Sequence, residues 1–279
     1  MVNRHGHFVW YELHTTDVES AKAFYTGVMD WGLWDASASG RPYLIFTAGD
    51  TTVAGLTALS AEARTAGAKP SWIGYVGVDD VDRTGDRIAR LGGTVHVPPT
   101  NVANISRFSV FSDPQAARLG LFRWLQPRPE APGRDTIGCI GWHELLAAEP
   151  EAALAFYGTL FGWQAGDREV ESGNTYVRFA AGADTIGAID SQLPTMTDPF
   201  WLYYFNVGDI DDAAKRVEAG GGEILGGPAD VPGGSWAVEC RDPQGAVFAL
   251  EGVRKPRPIG YFERAGPRGP AGGGGRWSW

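Results

Sequence analysis

The chain has 279 residues, of which 43% are hydrophobic and 20% charged, as in ordinary soluble globular proteins. Its net charge of −9 argues against binding to nucleic acid or to an anionic membrane surface, because both need a clustered basic face. No apolar run is long enough to span a bilayer, and the first residues lack the apolar segment of a signal peptide. Two cysteines provide no disulfide framework, so a cytoplasmic location is expected.

The first half of the chain combines strand and helix patterns. Residues 7–15 mix aromatic and polar side chains in near alternation, which is typical of a half-buried strand. Asp17 is a typical helix N-cap and is followed by apolar residues at helical spacing, and Asp80 begins a second helix that ends at a glycine pair. The other segments predicted here are strands at 43–47, 52–59, 72–78, 94–97, 108–112 and 119–125, a hairpin turn at 49–51 and a loop at 60–70.

The second half repeats this plan. Its predicted elements are strands at 141–146, 175–181, 185–190 and 201–207, helices at 150–160 and 211–219, and further strands up to residue 250. Each half therefore contains two units with the order strand, helix and three strands. The pattern predicts an α+β fold built from four such βαβββ units.

Short motifs return in the same order in both halves. Trp-Tyr-Glu-Leu at 10–13 returns as Trp-His-Glu-Leu at 142–145, and Asp-Pro-Gln at 113–115 returns at 242–244. The other repeated landmarks are Ala-Phe-Tyr at 23–25 and 155–157, and Trp31 and Trp163. The near-constant spacing indicates two copies of one domain-sized module.

The composition places the domain boundaries. We expect a first domain at 1–127, a Pro-rich linker at 128–137, a second domain at 138–253, and a flexible Pro/Gly-rich tail at 254–279. The tail ends with Trp277 and Trp279, which are unusual in a free terminus.

The order and spacing of these motifs resemble the glyoxalase/bleomycin-resistance/dioxygenase family, also called the vicinal oxygen chelate superfamily. The resemblance extends over nearly everything from Trp10 to Gly252, in two copies. It implies two tandem glyoxalase-like domains, each of paired βαβββ units whose sheet forms a cup around a ligand.

The resemblance also implies where a metal would bind. Enzymes of the family hold a divalent metal through His, Gln and Glu side chains at three positions on the cup strands. In this sequence those positions carry Trp10, Ile73 and Gly120 in the first copy, and Trp142, Leu202 and Ala249 in the second. None of these side chains has an oxygen or nitrogen donor for a cation. The sequence therefore predicts no metal site and no cofactor.

A divalent metal remains an alternative. A register shift in the last strand makes Glu251 the nearest carboxylate, and His143 and Glu144 are then the nearest donors on the strand that begins the second copy. Because neighbouring residues of a strand point to opposite faces, His143 is expected to point away from the cup if Trp142 points into it.

Two glutamates are candidates for acid–base chemistry in the absence of a metal. Glu12 and Glu144 recur at equivalent positions on the predicted cup face, and His14 shares that face in the first copy alone. The alternative is a structural role in which each carboxylate orients backbone or pairs with an arginine such as Arg178. A metal cluster of His14 with Glu12 and the N-terminal histidines His5 and His7 is a further alternative.

Aromatic side chains are the candidates for ligand binding. Trp10, Trp142, Tyr75 and Tyr204 lie at strand positions where the family holds metal and substrate. Such residues build a dry, flat-walled cleft for a planar ligand. Because His14 is specific to the first copy, we expect the cup with Trp10 to be the working one.

Three functions remain open at this point. The first is a metal-free protein that binds a small molecule such as an aromatic metabolite or antibiotic, as a monomer or homodimer. The second is a lyase, isomerase or hydroxylase-like enzyme of secondary metabolism that uses the cup carboxylates or a divalent metal. The third is a housekeeping protein with vestigial cups, in which the interfaces matter.

Overall fold

A computed structural model describes residues 4–37, 42–127, 132–171, 174–192 and 198–255. The tail beyond residue 255 and part of the predicted linker, 128–131, lie outside the described residues. The elements of the first half are β1 (Phe8–Thr15), α1 (Val18–Met29), β2 (Gly32–Asp35), β3 (Leu44–Ala48), β4 (Thr51–Ala58), α2 (Ala61–Thr65), β5 (Ser71–Gly77), α3 (Val81–Arg90), β6 (Thr94–Val102), β7 (Ser106–Ser112) and β8 (Arg118–Trp124).

Within the described residues, which leave out 193–197 at the place of α2, the second half has the same order. Its elements are β9 (Ile140–Ala147), α4 (Pro150–Phe161), β10 (Gln164–Glu171), β11 (Asn174–Ala181), β12 (Asp184–Ser191), β13 (Phe200–Asp209), α5 (Ile210–Ala219), β14 (Glu223–Val231), β15 (Ser235–Arg241) and β16 (Val247–Val253). No helix of the described chain has the length and apolar character needed to cross a membrane.

Each half forms an eight-stranded sheet, and the two sheets have matching strand orders. The first runs β2-β3-β4-β1-β5-β8-β7-β6 and the second β10-β11-β12-β9-β13-β16-β15-β14. The strand that begins each half therefore lies at the centre of its sheet. It pairs antiparallel with the strand that begins the second βαβββ unit. The predicted α+β fold, with two tandem domains of paired βαβββ units, is confirmed.

Local capping explains where the helices begin. Asp17, Asp80 and Asp209 each accept a hydrogen bond at Oδ1 from the backbone N–H three residues later. Helix α4 lacks a side-chain cap and begins instead with Pro150, whose fixed φ angle suits the first helical position. The carboxylate caps satisfy backbone donors that have no partner within the helix.

Three local predictions were wrong. Residues 60–70 are not wholly a loop, because the Ser60 side chain accepts from the Ala63 N–H and caps the short helix α2. The edge strands β2 and β10 were missed, and all four residues of β2 are exposed, so no apolar alternation marks it. Strand β6 also runs to Val102, beyond the predicted 94–97, because it pairs with β7 over its whole length.

The two faces of each sheet have different partners. On one face, helix and strand side chains from both halves join in a single apolar core. The opposite faces carry two separate clusters of strand residues, one for each half. We call these faces the first cup (around Trp10, Tyr75 and Phe122) and the second cup (around Trp142 and Tyr204). The halves therefore pack through their helical sides and leave the two cups on opposite sides.

Reciprocal hydrogen bonds connect the halves within the shared core. The Tyr25 hydroxyl donates to Oδ2 of Asp242 at 3.1 Å, and the Tyr157 hydroxyl donates to Oδ2 of Asp113 at 2.9 Å. Each tyrosine belongs to a repeated Ala-Phe-Tyr motif and each aspartate to the Asp-Pro-Gln motif of the other half. The repeated motifs thus serve the interface between the domains.

Each aspartate also stabilises its own turn. Oδ1 of Asp113 accepts from the N–H groups of Gln115 and Ala117, and Asp242 repeats this with Gln244 and Ala246. Burial raises the pKa of both carboxyl groups, while these hydrogen bonds act in the opposite direction. One carboxylate therefore fixes a turn and an interdomain contact together.

The repeated tryptophans extend the interface. Trp31 donates through Nε1 to the Gly138 carbonyl at 2.8 Å, and Trp163 donates to the Gly6 carbonyl at 2.6 Å. Both indoles are buried. Each repeated tryptophan thus binds backbone that precedes the first strand of the other half.

We predict that Tyr25→Phe and Tyr157→Phe each lower the free energy of unfolding by about 1–3 kcal/mol, because each leaves a buried carboxylate without one donor. Chemical denaturation measures the change. Thr26→Ala is the control, since the Thr26 hydroxyl bonds only to carbonyls of its own helix. Tyrosine variants as stable as Thr26→Ala would contradict a stabilising role for the interdomain pairs.

Candidate functional site

The first cup surrounds a carboxylate with three polar side chains. Oε1 of Glu12 accepts from the Tyr43 hydroxyl at 2.6 Å, and Oε2 accepts from the Tyr75 hydroxyl at 2.7 Å. Nε2 of His14 lies 3.2 Å from Oε2, and the Trp10 indole N–H donates to the Tyr43 hydroxyl at 3.1 Å. Both carboxylate oxygens of Glu12 are therefore engaged.

These contacts favour the charged form of Glu12. Burial opposes ionisation, but hydrogen bonds from His14, Tyr43 and Tyr75 and the nearby His14 ring outweigh it and lower the pKa of Glu12. Burial and the Glu12 charge raise the pKa of the Tyr75 and Tyr43 hydroxyl groups, which stay protonated as donors. The first cup thus holds a fixed carboxylate whose two oxygens both already accept hydrogen bonds.

The second cup has one equivalent contact. The Tyr204 hydroxyl donates to Oε2 of Glu144, as Tyr75 does to Glu12. Burial raises the pKa of Glu144 to about 7, with a lowering effect from the Tyr204 hydrogen bond and a raising effect from the charge of Asp190. Burial, with the nearby Glu144 charge, raises the pKa of Glu239 to about 8.

Strand register explains part of this difference between the cups. Gly55 pairs with Glu12, and a Cβ at that glycine would overlap the Tyr43 hydroxyl. The equivalent partner of Glu144 is Ala188, whose methyl group occupies this space. Tyr176, which stands where Tyr43 does, makes no hydrogen bond to Glu144.

The cups also differ in the side chains that surround the glutamate. Val110 pairs with Gly120 in the first cup, and Glu239 pairs with Ala249 in the second. Two residues along the same strands, Phe108 pairs with Phe122 in the first cup, whereas Ala237 pairs with Glu251 in the second. The second cup therefore has smaller and more acidic side chains where the first is filled by aromatic rings.

The positions that the family uses for metal binding lie on the cup faces but lack donors. Trp10, Tyr75 and Gly120 are consecutive register partners across β1, β5 and β8. A Cβ at Gly120 would overlap the Tyr75 ring, so this ring fills the place of the last metal ligand. Within the described ranges, no three His, Cys, Asp or Glu side chains are placed to hold a metal. The residues present do not fit the family's metal.

The alternative metal arrangements are not assembled either. Among the N-terminal histidines, His5 lies near Asp79 and His7 near Asp184, and neither contacts Glu12. Glu251 accepts from the Ser235 hydroxyl at the edge of the second cup. The expectation that Arg178 pairs with a cup glutamate was also wrong. Arg178 forms ion pairs with Asp167 and Glu169.

His143 points away from the second cup, as expected from strand alternation. Its Nδ1 lies 2.6 Å from the Ile186 carbonyl and its Nε2 lies 2.6 Å from the Tyr11 hydroxyl, while its ring stacks on Phe8. Burial lowers the pKa of His143 to about 3. It is therefore a neutral structural residue of the domain interface.

Two residues of these sites were missed in the sequence. Tyr43 recurs as Tyr176 at nearly the repeat spacing, which was an available signal. Glu239 lies between Val238 and Cys240 in a buried strand, and a carboxylate in such a strand was a second signal. The remaining predicted residues lie on the cup faces and are largely buried. They are Trp10 and Tyr75 in the first cup, and Trp142, Glu144 and Tyr204 in the second.

Comparison with known proteins identifies the family. The model of the Glyoxalase/Bleomycin resistance protein/Dioxygenase superfamily matches residues 6–120 and 139–250. The chain belongs to this superfamily. It is 35% identical over 259 residues to the glyoxylase-like protein CFP32 of Mycobacterium tuberculosis (strain CDC 1551 / Oshkosh), covering 91% of this chain and 97% of that protein. It is 28% identical to the anthracycline biosynthesis protein DnrV of Streptomyces peucetius, covering 92% and 95% of the two chains.

Solved structures share the fold. The Mn(II)-bound glyoxalase from Novosphingobium aromaticivorans superposes with a TM-score of 0.60 at 17% identity, covering 91% of this chain and 84% of that one. A mutant of 4-hydroxymandelate synthase from Streptomyces coelicolor superposes with a TM-score of 0.63 at 17% identity, covering 92% and 95%. At this identity the likeness supports the tandem architecture alone.

We predict that wild-type stability falls between about pH 5 and pH 8, and that Glu239→Gln reduces the fall by on the order of 1–3 kcal/mol. The folded pKa of Glu239 lies above the unfolded value. The folded state therefore keeps a proton that the unfolded state releases, and stability is lost as the pH rises through the folded pKa. Denaturation midpoints across this range measure the slope.

Glu12→Gln is the matched control for this slope. Because the pKa of Glu12 is lowered, its contribution to stability is constant above the unfolded pKa, and removing it leaves the slope unchanged. If stability changes with pH equally in Glu239→Gln and wild type, the Glu239 carboxyl group does not have the raised pKa that burial without a partner gives it.

Proposed function

We propose that this chain binds a small planar aromatic molecule in its second cup without a metal ion. The observation that carries the proposal is the replacement of the family's metal donors by Trp142, Leu202 and Ala249, next to a buried carboxyl group on Glu144. Such a site offers apolar walls and a few polar groups, as ligand pockets commonly do.

The contrast between the two glutamates supports the second cup over the first. Tyr43, Tyr75 and His14 occupy the carboxylate oxygens of Glu12, which leaves it little capacity for a ligand. Glu144 accepts from one hydroxyl, so it retains acceptor positions. We therefore place the binding site in the cup that lacks His14, contrary to the expectation from the sequence.

The relatives are consistent with a small aromatic ligand. DnrV is named for anthracycline biosynthesis, and anthracyclines are planar aromatic compounds. Trp142 is 9% exposed, and Arg134 lies over its ring at 4.6 Å from the centroid. A ligand that displaces the Arg134 side chain gains access to this indole face.

An enzyme is the second candidate, and one observation favours it. The pKa of Glu144 is raised to about 7, which suits a general base or acid near neutral pH. Tyr204 donates to the same carboxyl group and orients it. Under this alternative, Glu144 exchanges a proton with a bound substrate, as in a lyase or isomerase of secondary metabolism.

We predict that Trp142→Ala weakens binding of 1,4-dihydroxyanthraquinone at least about five-fold, since loss of an aromatic contact costs on the order of 1 kcal/mol. Trp10→Ala is the matched control in the first cup and keeps wild-type affinity. Tryptophan fluorescence titration gives the affinities, and circular dichroism verifies folding. Equal affinities in wild type and both variants would contradict either cup as the site.

We also predict that treatment with a chelator leaves this affinity unchanged, because the cup positions lack metal donors. Elemental analysis of the purified protein should give zinc, iron, manganese and nickel well below one ion per chain. A stoichiometric metal whose removal abolishes binding would contradict the metal-free proposal.

A further inference from the structure

We propose that Glu239 and Glu144 form a subsite for a protonated amine on the molecule bound in the second cup. This inference rests on the proposed function and adds the charge of the ligand. It assigns a role to Glu239, which lies outside the three positions that the family uses for metal binding.

The Glu239 side chain is largely buried and has no hydrogen-bond or ion-pair partner among the described residues. The residue is 8% exposed. Its strand partner is Ala249, and Ala237 precedes it on the same face of β15. Buried carboxyl groups normally have a partner, so an unpaired one facing a ligand cup indicates that the partner is the ligand.

A cation is the partner that this lining favours. Glu144 is 9% exposed, and its charge acts directly on Glu239. Both carboxyl groups are more readily protonated than in water, because no positive charge offsets their burial. A ligand ammonium group between them would supply that charge and donate hydrogen bonds to both carboxylates.

The aromatic side chains of the cup add to this preference. Tyr176 and Tyr204 share the face with Glu144, and the Trp142 ring already has a guanidinium group over it. Aromatic faces attract organic cations through their quadrupole. A divalent metal is less suited, because no three His, Cys, Asp or Glu side chains of the described residues are placed together to hold one.

Other charged groups at this cup do not neutralise the pair. Arg178 is engaged by Asp167 and Glu169, and Arg134 lies over Trp142. On the cup face of the elements around the pair, the titratable and charged groups are Glu144, Glu239, Asp190, Glu251, Tyr176, Tyr204, Arg134, Arg178 and Arg241. Arg241 pairs with Glu223 at 2.6 Å.

The test compares two probes of equal shape, 1-naphthylmethylamine and 1-naphthalenemethanol, by isothermal titration calorimetry. At about pH 8.5 we expect wild type to bind the amine at least ten-fold more tightly, as expected for a paired charge. The preference should fall at about pH 6, where the carboxyl groups hold protons. Glu239→Gln and Glu144→Gln should remove most of it.

Glu218→Gln is the matched control, because it removes one exposed negative charge from α5 and should keep the preference. Glu239→Val is a second variant in case Glu239→Gln fails to fold. It introduces the residue type found at the equivalent position of the first cup, Val110. Equal binding of both probes to wild type would overturn the amine subsite and leave the proposed function intact.

The remaining outcomes also decide between the proposals. A preference that survives in both Glu239 variants would overturn the role of Glu239. Loss of amine binding on addition of a divalent cation would overturn the subsite in favour of a metal. Failure of both probes to bind wild type would overturn the proposed function together with the subsite.

Discussion

The reciprocal hydrogen bonds between Tyr25 and Asp242 and between Tyr157 and Asp113 determine how the molecule is assembled. Each aspartate fixes the turn of its own half and accepts a hydroxyl from the other half. The helical faces of both sheets are therefore directed inward, into one shared core. The opposite faces form two separate cups, one for each half.

The two cups show what duplication makes available. Both have a glutamate on the central strand and a tyrosine that donates to it. In the first cup, Tyr43 and His14 make additional hydrogen bonds to the Glu12 carboxylate. In the second, Ala188 blocks the equivalent tyrosine and Glu239 replaces an apolar residue, so burial is uncompensated. Our proposal of a site in the second cup rests on these differences between the copies.

Much of the fold follows from the sequence, because repeated motifs fix the order of elements and strand alternation fixes the faces. This reasoning placed Trp10, Trp142 and Glu144 on the cups and directed His143 away from them. It did not give the partners of the glutamates, because those depend on registers between strands far apart in the chain. The Tyr43 contact depends on the missing Cβ of Gly55, which no local pattern reveals. Glu239 was overlooked because a single carboxylate in a buried strand has no motif.

A crystal structure of the protein with 1,4-dihydroxyanthraquinone tests the central claim most directly. We expect ligand density in the second cup, against the Trp142 ring and within hydrogen-bonding distance of Glu144, with none beside Glu12. Density in the first cup, or a metal ion held by side chains of the second, would contradict it.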